Sequence, residues 1–283
     1  AYDPAYFRGT GHALKARLDR AQGGVVDSGN GCELVYASPF EEAKLNIGDY
    51  SAMKNVGGLF PIGEVFTEAR DLEAVNGRVR VFVFGDTSFR VNRPAAPITM
   101  IVERGRVTGA ENSTPAFDEM LAIIRAHEGD VWVRELGFGM NRAFSFERTV
   151  DDIGTYERMC GIHLSLGAKH GQYQKPQFKR KDARYHVDVF AVTEGVYLDG
   201  ERIYADGAWT VPLRLPVNGS YRVFADFMPS GGPALTLGAN LHVAGKYDPQ
   251  PLPPAGPCPH IMPRASGPRR RPSRRTVPQE RPG

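Results

Sequence analysis

TPAFDEMLAIIRAHEGDVWVRELGFGMN, residues 114–141, carries a helix and a strand back to back. Thr114 can cap a first turn, Pro115 suits the first helical position, and Gly129 can end the helix. Phe117, Met120, Leu121 and Ile124 recur at helical spacing and form one apolar stripe, so a helix is expected over 115–128. After Gly129-Asp130, the six residues VWVREL (131–136) alternate as a strand, with Val131, Val133 and Glu135 on one face. LGFGMN then reads as a Gly-rich turn. A helix feeding directly into a strand excludes an all-α or all-β chain. The expected fold class is α/β in the broad sense (α+β), a mixed sheet with flanking helices.

Working outward, residues 5–22 read as a helix of modest amphipathicity, and GGVVDSG and CELVYA as short strands. Arg78–Phe84 suits a strand entering a core. Met100–Glu103 and Arg106–Thr108 make a hairpin about Gly105. A second helix is expected over 152–160, then strands in IHLSLG and at Tyr185–Ala191. Asp199-Gly200 between two apolar runs is a strong two-residue hairpin signal. These elements make up an expected α/β domain over 1–206. Short strand-like pieces follow, at Trp209–Leu215, Tyr221–Phe227, Ala234–Leu237 and Asn240–Val243, an expected β-rich appendage over 207–250. The Pro/Arg-rich stretch 251–283 is expected to be disordered, since it is too polar to bury a core.

The chain has 283 residues, 41% hydrophobic content and a formal charge of +3. Six arginines after Gly267 supply much of the basic excess, so the remainder is near neutral and nucleic-acid binding has little electrostatic support. Three cysteines at irregular spacing make no disulfide framework and fit a reducing, cytoplasmic setting. No apolar run is long enough to span a bilayer, so no membrane partner is expected.

Five side chains carry candidate chemistry. His186-Val187-Asp188 on a strand would project an imidazole and a carboxylate from one face, a workable pair of ligands for Zn, Mn or Co. Such a pair also occurs as an ordinary surface contact. His163 sits in IHLSLG with Ser165 on its face. Glu135 lies at the end of an apolar strand, where a buried carboxylate must be paired, protonated or metal-bound. Glu64 follows Gly63 at the entry to a short apolar stretch. Three carboxylates and two imidazoles form a suitable inventory for two close divalent cations.

The order of these motifs resembles the thermophilic-type metallo-aminopeptidases, the aminopeptidase T and aminopeptidase S group. The residues that carry the resemblance are Pro61-Ile-Gly-Glu64-Val-Phe-Thr67, Glu135-Leu-Gly-Phe-Gly-Met-Asn141, Gly161-Ile-His163-Leu-Ser-Leu-Gly167, and His186-Val-Asp188 followed by Asp199-Gly200. The resemblance covers roughly residues 10–207. It implies the metal-binding second domain of that family, with two divalent ions (Zn, Co or Mn) on Glu64, Glu135, His163, His186 and Asp188. Glu135 would be bridging carboxylate or base. His170 stands where the family has a tyrosine that assists the carbonyl, so Glu135 and His170 are the expected catalytic pair. The implied activity is hydrolysis of a peptide bond near a free N-terminus.

The chain also departs from the family. It starts near the second domain, Gly63 replaces the first Glu of a Glu-Glu pair, and the loop between His163 and His186 is short and basic. Shortened relatives, as in crocagin biosynthesis, are associated with binding peptides, so a non-catalytic peptide binder is the alternative expectation. An iron-dependent oxygenase using two histidines and a carboxylate is a third. A peptide is the expected partner, with homodimer formation left open. Residues 207–254 resemble part of a secreted bacterial β-rich domain.

Overall fold

The computed structural model describes residues 4–50, 60–144, 148, 150–179, 181–210, 219–227 and 235–243. Helix α1 (Pro4–Leu18) comes first, followed by short strands β1 (Gly24–Asp27), β2 (Glu33–Tyr36) and β3 (Lys44–Asn46). Next come β4 (Glu64–Glu68) and the long β5 (Val75–Gly85). Strands β6 (Val91–Asn92), β7 (Ile98–Glu103) and β8 (Arg106–Glu111) lead into helix α2 (Pro115–Glu128). Then follow β9 (Val133–Gly139), the single-turn α3 (Ile153–Tyr156), β10 (Gly161–Leu166) and β11 (Val187–Ala191). Strands β12 (Gly195–Leu198), β13 (Glu201–Ala205) and β14 (Ala208–Trp209) complete the main sheet. Its order is β14-β13-β12-β1-β2-β5-β11-β10-β9-β4-β3, with β6, β7 and β8 branching from β5.

Every strand ladder in this sheet is antiparallel, which corrects the expected mixed sheet. Parallel neighbours need long crossovers. Here neighbours such as β7 and β8, or β12 and β13, are joined by tight hairpins instead. The result is an α+β fold with few helices. The sheet curls: Trp209, on the end strand β14, donates from Nε1 to the Gly139 carbonyl of β9 at 2.8 Å and packs on Phe138. The first compact unit spans residues 1–212.

Helix α2 forms as its local signals require. The Thr114 hydroxyl accepts from the Phe117 N–H, Pro115 opens the helix, and Gly129 closes it at φ +84°. Phe117, Met120, Leu121 and Ile124 are buried, and Phe117 meets Phe84 edge-on at 4.9 Å. The Asp199-Gly200 turn has both residues at positive φ, the twist a tight hairpin needs.

Three local readings change. The helix expected over 152–160 is only one turn; past Tyr156 the backbone continues in tighter turns, Arg158 N–H to Thr155 and Met159 N–H to Tyr156, while the Arg158 side chain donates to the Pro61 and Gly154 carbonyls. Gly137-Phe-Gly139 is strand rather than turn. Val133 and Glu135 do not share a face: the β9–β10 register shifts by one residue between Leu164 and Leu166, which leaves Arg134 and Glu135 opposite Ser165. Val133 joins Leu136, Leu164 and Leu166 in the core, and Glu135 turns to the other side.

The second unit is described by a single antiparallel hairpin, β15 (Gly219–Phe227) with β16 (Leu235–Val243). The strand expected at Trp209–Leu215 falls partly, and the tail 251–283 wholly, outside the described residues. No helix among the described residues is long and apolar enough to cross a membrane.

Candidate metal centre

β11, β10, β9 and β4 are consecutive neighbours in the sheet, and each contributes one candidate ligand to the face away from the core. Registered pairs place Ser165 opposite Asp188, and Gly137 opposite both His163 and Phe66. Val187 and Val189 point the other way, into the core. The alternation of β-structure thus separates ligands from anchors along the same strands.

Two glycines make this face deep enough. A Cβ on Gly137 would lie 2.0 Å from Cε1 of His163, so the imidazole rests directly over that bare backbone. A Cβ on Gly139 would lie 1.8 Å from the Met159 carbonyl oxygen. The Gly-Phe-Gly run is therefore a strand with room for close approach. Gly137→Ala is expected to push His163 off its seat and weaken metal binding by about 10–100-fold, the usual cost of disturbing a ligand's support. A metal titration showing unchanged affinity would contradict that seating.

Glu64, Glu135 and His163 are buried, and one ligand atom from each lies within 4.8 Å of the others. His163 Nε2 is 3.2 Å from Glu64 Oε1 and 3.2 Å from Glu135 Oε1. The second oxygen of Glu135, Oε2, is 2.8 Å from His170 Nε2. One carboxylate thus faces two different imidazoles. His186 precedes β11 rather than sitting on it, partly exposed, yet its Nε2 is 3.2 Å from Asp188 Oδ1. His170 Nε2 and Asp188 Oδ1 are buried, and neither of these short contacts has well-formed hydrogen-bond geometry. Buried polar atoms that are close but unbonded suit donors facing a shared cation or ligand. The donor set fits divalent metal.

The remaining ring nitrogens separate the roles of two histidines. His186 Nδ1 lies 3.2 Å from the Lys169 carbonyl, so it carries the proton and leaves Nε2 with a lone pair when the ring is neutral. That is the arrangement of a metal ligand with its outer partner. His170 Nδ1 instead accepts from the backbone N–H of Gln172 and Tyr173, at 3.1 and 3.4 Å. Its neutral form therefore has the proton on Nε2, aimed toward the site. His170 therefore offers a hydrogen-bond donor there, whereas neutral His186 offers a lone pair.

Charges follow the geometry. Burial would raise the Glu135 carboxyl, but His163, His170 and His186 outweigh it and hold Glu135 well below the usual carboxylate range. Burial would lower His163, yet Glu135 and Glu64 push it up to about 9. Burial likewise opposes Asp188 and then Glu135 at His186, which also rises to about 9. Both folded values exceed the ordinary 6.5, so their stabilisation of the metal-free fold is complete below that pH and fades as pH climbs through about 9. At pH 7 both rings are cations without metal, and imidazole binds a cation only when neutral. Metal uptake at pH 7 is expected to release between about one and two protons per chain, with affinity rising toward pH 9. Calorimetry in buffers of different ionisation heat reads this number, and a buffer-independent heat would contradict it.

Four buried residues support the site: Arg158, Arg134 and Glu68, which the sequence reading did not single out, and Lys175, which it read only as part of a basic loop. Arg158 brings Nη2 to 3.3 Å from Glu64 Oε2, and is itself almost fully buried. Arg134 pairs with Glu68 in the interior and donates to the carbonyls of Ala168 and Tyr173, on either side of His170. Lys175 Nζ contacts Glu68 at 3.4 Å and Glu41 at 2.6 Å. An Arg beside Glu135 in an otherwise apolar strand was the available signal. Phe66 and Phe190 wall the site, at 6.3 Å from the His170 ring and 5.8 Å from the His163 ring.

No family model and no curated protein matches the chain. Among solved structures it is similar to 2,5-dihydroxypyridine dioxygenase from Pseudomonas putida KT2440, with a TM-score of 0.55 and 17% identity. The match covers 74% of this chain and 60% of that one, so the chain spans less than two thirds of the length of that structure. At this identity the likeness shows a shared fold alone.

Proposed function

We propose that the protein is a metal-dependent hydrolase of the aminopeptidase type, with two divalent cations (Zn, Co or Mn) held by Glu64, Glu135, His163, His186 and Asp188. The observation that carries this reading is the buried group of Glu64, Glu135 and His163, whose ligand atoms lie within 4.8 Å of one another, with His186 Nε2 and Asp188 Oδ1 paired at 3.2 Å on the adjoining segment. Such cations supply Lewis acidity toward a carbonyl and make water more acidic.

The chain's own residues do the rest. Glu64, Glu135 and Asp188 bring negative charge into a buried face, and Arg158 keeps Glu64 in place. Glu135, held well below its ordinary range, is a poor base, which favours binding over proton abstraction. His170 faces Glu135 Oε2 at 2.8 Å with its neutral-form proton on Nε2, so it steadies that carboxylate. Phe66 and Phe190 limit water at the same place. Hydrolysis joins a water oxygen to the carbonyl carbon, breaks the C–N bond and leaves a proton on the departing amine.

The test is a panel of aminoacyl amides with metal-loaded protein. Turnover that a chelator abolishes and added metal restores supports the proposal. Binding of peptides without release of amino acids would replace it with the peptide-binding reading. One observation favours a second reading: the fold is shared with a dioxygenase. His163, His186 and Asp188 offer two imidazoles and a carboxylate, a set that suits Fe(II). Iron-dependent oxygen consumption would establish that reading. The buried Glu64 and Glu135, which such a set does not need, are the reason the hydrolase reading is preferred.

A further inference from the structure

We propose that a cleft beside the metal centre receives a carboxylate, so that the preferred substrates are short peptides ending in a free acid after an apolar residue. The substrate part of this proposal rests on the hydrolase reading. The cleft's preference for carboxylate does not.

A cavity of about 510 Å³ opens beside His186, lined by Asp86, Thr87, Phe89, Lys169, Arg184 and His186. That volume lies in the range of small-molecule sites. Because His186 belongs to both the cleft and the centre, an occupant lies against the rim of the centre. Lys169 and Arg184 are exposed, and among the described residues neither side chain has an ion-pair partner. The acid in the wall is already engaged: Asp86 Oδ1 accepts from the N–H groups of Ser88 and Arg90 at 2.7 and 3.0 Å, and Oδ2 pairs with Arg90 Nε at 2.7 Å. The cleft therefore presents uncompensated positive charge, which favours an anion.

The backbone positions that carry the two cations are held together. Glu128, at the end of α2, accepts from Ala168 N–H at 2.7 Å through one oxygen. Through the other it accepts from Arg184 and Tyr185 N–H, at 2.6 and 2.8 Å. Lys169 N–H also donates to the Tyr185 carbonyl at 3.0 Å. The backbones carrying Lys169 and Arg184 are thus stapled together by a carboxylate that is itself fully engaged.

Phe89 supplies the apolar part. It sits at φ +62°, a region bulky residues rarely occupy, and its side chain stays 70% exposed at the cleft. The Asp86 hydrogen bonds hold the turn in that shape. Backbone strain that displays an aromatic ring to solvent beside a cavity is a common mark of ligand contact.

The experiment compares alanyl-phenylalanine with its C-terminal amide on metal-loaded full-length protein. The free acid is expected to be preferred by about tenfold in kcat/KM, the scale of a charge-assisted hydrogen bond, and mainly through KM. Lys169→Met combined with Arg184→Met should erase the preference, bringing kcat/KM for the free acid down to that for the amide. Lys179→Met, an exposed lysine outside the cleft wall, should leave the preference intact. Equal use of acid and amide, or a preference that survives in the double variant, overturns the proposal. If neither dipeptide is cleaved, calorimetry with N-acetyl-phenylalanine and its amide reads the cleft alone. Tighter binding of the acid then keeps the cleft and removes the hydrolase reading. Equal binding overturns the cleft.

Discussion

Glu135→Gln is expected to abolish turnover by about a thousandfold or more, because losing a shared anionic ligand removes several kcal/mol of charge stabilisation. The substitution keeps the shape of the side chain, so the fold should survive with an unchanged far-ultraviolet spectrum. What changes is charge. Glu135 is the first partner raising His163, which stands at about 9, and it also raises His186. Without that anion, both rings should titrate closer to their ordinary value, visible by NMR in the metal-free variant. Metal content should fall by at least one ion per chain. A variant that keeps full activity and unshifted histidines would remove Glu135 from the centre.

Glu68→Gln is expected to be the most damaging change outside the ligand set. Glu68 is fully buried, Arg134 nearly so, and Lys175 shares the same carboxylate. Removing the acid strands two cations in the interior, which costs about 3–5 kcal/mol. For a domain of this size that corresponds to a loss of roughly 6–20 °C in Tm. Glu41 offsets part of the loss, through its contact with Lys175 at 2.6 Å. The damage should also reach the site, because Arg134 ties down the carbonyls of Ala168 and Tyr173 around His170. A urea melt showing a loss under about 1 kcal/mol would mean that the pair is not held as described.

The sequence was legible where signals were local and mutually consistent. Thr114, Pro115 and Gly129 all bear on one helix, and α2 has those bounds. Asp199 and Gly200 specify a turn by their own backbone preferences. Legibility failed where the decisive partner is distant. Strand direction depends on pairings such as β4 with β9 that no local pattern contains. The Arg134–Glu68 pair joins residues 66 apart. Gly137 and Gly139 read as turn formers, although their purpose is to make room for the His163 ring and the Met159 carbonyl.

The candidate ligands themselves were visible as residue types in order. Their distinct roles were not. His170 and His186 look interchangeable in the sequence. Only the neighbouring groups, the Gln172 and Tyr173 N–H for one and the Lys169 carbonyl for the other, decide which ring donates and which can bind a cation. Glu135 moved to the site face because of a one-residue register shift, which alternation alone cannot anticipate.

Elemental analysis of the full chain, purified without added metal and then titrated with zinc, cobalt or manganese, tests the centre most directly. The proposed centre predicts about two tightly held divalent ions per chain, with the second lost when Glu135 becomes glutamine. Protein that binds no ion above background after titration would contradict it.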